Sequence, residues 1–272
     1  MVSVADVDVL IPAYNRPCAL AITLTALIAQ TCHSLRVVIS DQTEDRPLAE
    51  AGEVAAIARI LRALGRSMEF HRHVPRRGMA EQRQFLLDQA TAPFVLYLAD
   101  DVVLEPDAIE RMLTAIREER CGFVGMALHG LSRVSDVRPH QQDIEFWNGP
   151  VQPEVVLPGS QQWARHRLHN AANLWHVQQR LGITSDRQRK YKVAWVGGCC
   201  MYDTARLREV GASISGRNCP WTTAVRMCLP GRGSWLVMVA VLLSLRAHTI
   251  WSYPPPFPTA PATLPNYCTR QD

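Results

Sequence analysis

Hydrophobic and polar positions alternate in blocks along the first half of the chain, and the blocks switch between two periods. Val7 to Ile11 (VDVLI) is a β-branched apolar run closed by Pro12, the pattern of a buried strand. From about Pro17 to Thr31, Leu20, Leu24, Leu27 and Ile28 recur at helical spacing. Leu35 to Ser40 (LRVVIS) predicts a second strand, followed directly by Asp41. An Ala-rich periodic stretch from about Leu48 to Leu64 predicts a helix stopped by Gly65. Met68 to His73 predicts a short third strand, and Gly78 opens a segment of helical character (GMAEQRQFLLDQA). Phe94 to Leu98 (FVLYL) predicts a strand with Asp100-Asp101 at its carboxyl end. A helix over Glu105 to Arg117, started by Pro106, and a strand over Phe123 to Ala127 complete the series.

Strand and helix therefore alternate from residue 7 to about residue 127. That order predicts an α/β fold, a mostly parallel sheet flanked by helices on both faces. Such sheets bind ligands beyond the carboxyl ends of their strands. Asp41, Asp100 and Asp101 all fall at strand ends of this kind.

The pattern weakens further along. From about Ser132 to Arg189 the chain is polar, with Trp147, Trp163 and Trp175 interspersed, which predicts irregular insertions with one or two helices. Lys192 to Met201 is apolar again, interrupted by Gly197-Gly198, and Thr204 to Val210 predicts a helix ended by Gly211. Beyond Gly211 no amphipathic period runs through the sequence. Ala212 to Asp272 holds eight prolines, five arginines, no lysine and one acid, Asp272. The expected division is a domain over residues 1–211 and an irregular tail over 212–272.

Composition narrows the class. Apolar residues make up 47% of the 272, enough for a sizeable core. Lys plus Arg is 29 against 25 for Asp plus Glu, a net charge of +4 spread along the chain, which argues against a nucleic-acid partner. None of the eight cysteines forms a C-x-x-C pair, and no basic segment followed by an apolar stretch opens the chain. Free thiols in a reducing cytoplasm are the expectation. The longest apolar run, Trp235 to Leu245, is shorter than the about 20 residues that span a bilayer. It reads as a buried segment, with a peripheral membrane contact as the other reading.

Each chemical signal has a plain structural counterpart. Two adjacent carboxylates facing a cleft suit Mg²⁺ or Mn²⁺ and a diphosphate; a polar turn capping the next helix would use the same residues. Asp41 could accept hydrogen bonds from a base or ribose, or cap a loop. A flexible loop at Gly78 followed by the helix-borne Arg83 could approach phosphate or orient an acid, or Arg83 could be a solvated helix charge. Gly197-Gly198 could admit a close ligand, or form a strand bulge.

In order and spacing these residues resemble family 2 glycosyltransferases with the GT-A fold. The resemblance begins at Val9-Leu10-Ile11-Pro12-Ala13-Tyr14-Asn15-Arg16 and continues through Gln30-Thr31, Asp41, Arg77-Gly78 and Arg83. It takes in Tyr97-Leu98-Ala99-Asp100-Asp101 with Glu105-Pro106-Asp107 behind, then Val196-Gly197-Gly198 and Arg206 to Gly211. The resemblance implies a GT-A-like sheet and transfer of a sugar, with inversion, from a nucleotide diphosphate sugar such as a UDP sugar. The acceptor it implies is a saccharide, a lipid-linked molecule or a protein. It further implies that Pro12, Ala13, Tyr14, Asp41, Gly78, Arg83 and Asp100 bind the donor. Asp101 and Asp100 would hold Mn²⁺ or Mg²⁺, and Gly197 and Gly198 would lie on the acceptor side. Where the family often has a further Asp before the pair, this chain has Leu98 and Ala99. A non-catalytic nucleotide-sugar-binding module is the alternative. A nucleotidyltransferase ranks lower, because Pro12 to Arg16 replaces the Gly-rich triphosphate loop.

The resembled family usually draws its general base from a Glu-Asp pair shortly after the segment ending here at Gly211, yet no acid lies between Ala212 and Gln271. An out-of-frame tail accounts for this; a divergent native tail is the other reading. If each codon is read as the last base of one residue's codon plus the first two of the next, Val225, Arg226 and Met227 can encode Glu-Asp.

Overall fold

The computed structural model describes residues 5–130, 133–137, 143–147, 154–155, 159–182, 189–193, 196–209, 236–237 and 240–249. The amino-terminal half alternates as expected. Strand β1 (Val7–Ala13) leads to helix α1 (Pro17–Ile28), β2 (Leu35–Asp41) to α2 (Gly52–Ala63), and β3 (Ser67–Arg72) to α3 (Met79–Asp88). Then come β4 (Phe94–Leu98), the short β5 (Val102–Val103), α4 (Ala108–Glu119) and β6 (Phe123–His129). The remaining elements are β7 (Glu154–Val155), α5 (Gln161–Ala171), α6 (Leu174–Leu181), β8 (Lys192–Val193), β9 (Cys199–Asp203), α7 (Thr204–Glu209), β10 (Leu236–Val237) and β11 (Ala240–Thr249).

The main sheet runs β3-β2-β1-β4-β9-β6-β11-β5, with β8 beside β11. Strands β3, β2, β1 and β4 are mutually parallel, while β9 runs antiparallel to both β4 and β6. The central strands are buried on both faces, which is why they read as apolar runs without polar alternation. Period two divides each strand between two cores. Val9, Ile11, Val37, Ile39, Leu96 and Leu98 face one side, which α1, α2 and α4 cover. Leu10, Val38, Val95 and Tyr97 face the other, with Leu86 and Leu87 of α3. Burying each such side chain contributes about 1.5–3 kcal/mol.

Two helix starts differ from expectation. The stretch from Leu48 to Leu64 divides into a 3₁₀ turn (Leu48–Glu50) and α2, because Ala51 is extended. The cause lies outside the segment: the Asp41 carboxylate accepts from the Leu48 N–H at 2.7 Å while the Leu48 side chain enters the core. Helix α4 begins at Ala108 instead of Glu105. Pro106 and Glu105 instead form a shoulder clamped by Gln30-Thr31. Gln30 Nε2 donates to the Glu105 carbonyl at 2.8 Å, and the Thr31 N–H to that of Pro106 at 2.8 Å.

The polar middle contains two helices, each with a side-chain N-cap. Ser160 accepts from the Trp163 N–H at 3.1 Å, and Asn173 from that of Trp175 at 3.0 Å. Glu154 pairs with both Arg165 and Lys192. The apolar run at Trp235 to Leu245 falls partly on β10 and β11, and β11 lies parallel to β6. Residues 211–235, where the Glu-Asp pair was sought, lie outside the described residues.

Candidate active site

Strand direction gathers the candidate residues at one rim of the sheet. Because β1, β2 and β4 are parallel, Ala13, Asp41 and Leu98 end on the same side. Register then fixes neighbours: Ala13 pairs with Asp41, and Pro12 with Ser40. The antiparallel β9 starts where β4 ends, with Leu98 opposite Cys199, so Gly197-Gly198 arrive beside Ala99-Asp100. The Ala99 N–H donates to the Gly198 carbonyl at 2.7 Å.

Asp100 and Asp101 are 2% and 4% exposed, although they sit at a strand end. Their partner is Arg16, which immediately precedes α1. Its Nη2 pairs with Asp100 Oδ1, its Nε lies 3.3 Å from Asp100 Oδ2, and its Nη1 lies 3.1 Å from Asp101 Oδ2. Burial pushes the Asp100 carboxyl up to about 6; Arg16 pulls it down and Asp101 pushes it up. Arg16 is placed by a tight turn: Asn15 adopts φ 51 and its N–H donates to Thr43 Oγ1 at 2.9 Å, after which Pro17 starts α1.

The other predicted residues occupy distinct places. Pro12 and Ala13 are the buried last residues of β1, and Tyr14 after them is exposed. The Arg76 guanidinium carbon lies 4.1 Å from the centroid of its ring. Asp41 is buried, and its two oxygens accept from the Thr43 N–H at 2.8 Å and the Leu48 N–H at 2.7 Å. Its carboxylate thus organises the loop after β2. Gly78 precedes α3 with φ 104, a conformation side chains resist. Arg83 lies over Tyr97, its guanidinium carbon 5.7 Å from the ring centroid, on the face covered by α3. The charges that shift the Asp100 carboxyl are those of Arg16 and Asp101. Gly198 has φ 75, and a Cβ there would lie 2.5 Å from Leu128 Cδ1.

Sequence reasoning missed two working residues. Arg16 is the partner of both acids, and its place at a strand-end turn was the available signal. Gln82 joins β1 to β2 by donating to the Ala13 carbonyl at 3.2 Å and the Ser40 carbonyl at 2.7 Å. No pattern distinguished it from its neighbour Arg83.

Among the described residues no group of three or more His, Cys, Asp or Glu side chains could hold a metal alone. The acidic pair still fits a hard cation of the Mg²⁺ or Mn²⁺ type. Such ions take one or two carboxylates and complete their shell with phosphate oxygens and water.

A sheet whose parallel strands β3, β2, β1 and β4 are followed by the antiparallel β9, with an acidic pair where β4 ends, is the architecture of a GT-A glycosyltransferase domain. The chain belongs to glycosyl transferase family 2, whose family model matches residues 8–185. Among solved structures it is similar to S. aureus TarS 1–349, with a TM-score of 0.57 and 15% identity over 90% of this chain and 60% of that one. The same protein in complex with UDP-GlcNAc gives a TM-score of 0.56 at 15% identity, covering 91% of this chain and 60% of that one. The mannosyltransferase PcManGT from Pyrobaculum calidifontis, in complex with GDP-Man and Mn²⁺, gives 0.53 at 14% identity, covering 91% and 57%. The chain thus spans about 60% of the length of the TarS 1–349 chain. No curated protein matches it in sequence. Among the described residues no helix is long and apolar enough to cross a membrane.

Proposed function

We propose that the intact protein transfers a sugar, with inversion, from a nucleotide diphosphate sugar, a UDP sugar by preference, to a saccharide, lipid-linked or protein acceptor. The observation that carries this reading is the buried pair Asp100-Asp101 at the rim where β1, β2 and β4 all end. Two buried carboxylates that share the one positive charge of Arg16 keep a net negative charge, which a bound cation can offset. A donor diphosphate with its cation supplies that offset.

In this reading the sugar C1–O bond to the diphosphate breaks and negative charge collects on the leaving diphosphate. A bound Mn²⁺ or Mg²⁺ would neutralise that charge. Asp101 and Asp100 would orient the leaving group by holding the cation, while Tyr14, Pro12 and Ala13 border the nucleotide and Asp41 shapes its loop. Gly78 lets the chain turn into α3 beside the same rim, with Arg83 on α3. Gly197 and Gly198 would lie on the acceptor side. The acceptor hydroxyl must lose its proton to a general base, and that residue is unknown.

A non-catalytic binding module is the second reading, favoured by the lack of any acid from Ala212 to Gln271. We propose instead that residues 1–211 form the transferase domain and that 212–272 are translated out of frame, although β11 within that tail lies beside β6 in the sheet. Reading all three frames of the source DNA across codons 205–230 decides this: a Glu-Asp pair in another frame supports it, and a single open frame refutes it. A cytoplasmic location, with access to the membrane face for a lipid-linked acceptor, fits the reading. The activity itself is tested by incubating the protein encoded by the restored frame with UDP and GDP sugars and candidate acceptors, and measuring release of the nucleoside diphosphate. Release dependent on Asp101 and on a divalent cation supports transfer; binding without release with every acceptor supports the module.

A further inference from the structure

The reading above gives no role to the best-placed cation in the cleft. Arg16 makes three contacts with the acidic pair, two to Asp100 and one to Asp101. It comes from the start of α1, 84 residues away in sequence from Asp100. A divalent ion using the same oxygens would meet the guanidinium head-on, and two positive centres a few ångströms apart in a low-dielectric cleft repel strongly.

We propose that Arg16 is the resident counter-cation of Asp100 and Asp101, displaced whenever a divalent ion enters, so that release of Arg16 and binding of the ion are one exchange. This inference rests on the reading of the acidic pair as the cation site. Three features make the exchange feasible. The Arg16 side chain is 33% exposed, so its head can leave for solvent without breaking the core. Its main chain is independently fixed: its carbonyl accepts the Leu20 N–H at 3.0 Å, and Pro17 follows at the helix start. The freed guanidinium stays at the cleft mouth, and its planar fork matches phosphate oxygens as well as it matches carboxylates.

That last property gives the exchange a direction. A diphosphate offers Arg16 a new anionic partner as the ion takes its old ones, so donor and ion assist each other's binding. Without nucleotide, Arg16 competes with the ion. With nucleotide, it is occupied elsewhere.

The test is a Mn²⁺ titration of the full chain, followed by electron paramagnetic resonance of the free ion, with and without UDP. The proteins compared are the wild type, Arg16→Gln, Arg16→Lys, Asp101→Asn and the Arg16→Gln, Asp101→Asn double variant. Without UDP, Arg16→Gln should bind Mn²⁺ at least about fivefold more tightly than the wild type, within the usual range of coupling between sites. Arg16→Lys should fall between them, because it keeps the charge but loses the fork. UDP should tighten Mn²⁺ binding far more in the wild type than in Arg16→Gln, and the double variant should lose the gain. Thermal unfolding in EDTA gives a second readout: Arg16→Gln should melt below the wild type and recover with Mn²⁺. Should Arg16→Gln fail to fold, equal Mn²⁺ affinity of Arg16→Lys and the wild type overturns the proposal. Equal affinity of all Arg16 variants, combined with loss in Asp101→Asn, overturns the exchange but leaves the cation site standing. No Mn²⁺ binding by any protein, with or without UDP, overturns both.

Discussion

The main-chain N–H of Ala99 donates to the carbonyl of Gly198 at 2.7 Å, tying the end of β4 to the turn that starts β9. The residue after Ala99 is Asp100, so this bond sets where the acidic pair leaves the sheet. Gly198 can offer its carbonyl there because it adopts φ 75, and because the space a Cβ would fill is taken by Leu128.

Replacing Gly198 by Ala should therefore destabilise the protein by about 1–3 kcal/mol, from the left-handed backbone and the displaced Leu128 tip together. Urea denaturation measures this. Mn²⁺-dependent UDP binding should weaken in the same variant, since Asp100 moves with Ala99. A variant as stable as the wild type would show that the turn relaxes freely.

Asp41 makes a different prediction. Its carboxylate holds two buried N–H groups, of Thr43 and Leu48. Asp41→Ala leaves both without their acceptor and should cost about 2–4 kcal/mol. UDP affinity should fall by the same factor in Mn²⁺ and in EDTA, because the loop and not the cation is disturbed. Unchanged affinity by calorimetry would remove Asp41 from the donor site.

The strands on which both residues depend were legible in the sequence for a simple reason. Val7 to Ile11, Leu35 to Ser40 and Phe94 to Leu98 are buried on both faces, so their apolar runs need no tertiary information to be recognised. Strand-end logic then located Asp41, Asp100 and Asp101. It did not locate Arg16, whose pairing with the acids depends on a contact across 84 residues. It mistook the start of α2, because the Asp41 carboxylate captures Leu48 and no local periodicity encodes that. It did not locate Gln82, whose amide bridges β1 and β2.

His166 supplies a pH dependence away from the cleft. Burial, with a contribution from His169, lowers its pKa from 6.5 to about 4. Between those values the unfolded chain takes up a proton that the folded protein refuses, so folding stability rises with pH across the window. It is fully present above about pH 6.5 and is lost as pH falls toward 4. The full effect is on the order of 1–3 kcal/mol. His166→Gln should flatten the stability profile between pH 4 and 6.5 in denaturant titrations; an unchanged slope would place the sensitivity elsewhere.

The central claim is that Asp100-Asp101 forms the cation-assisted donor site, and calorimetry of UDP binding tests it most directly. The wild-type chain and Asp101→Asn are each titrated with UDP in Mn²⁺ and in EDTA. The account predicts tighter binding in Mn²⁺ than in EDTA for the wild type, and equal, weaker binding in both for Asp101→Asn. A metal-dependent gain that survives intact in Asp101→Asn would contradict it.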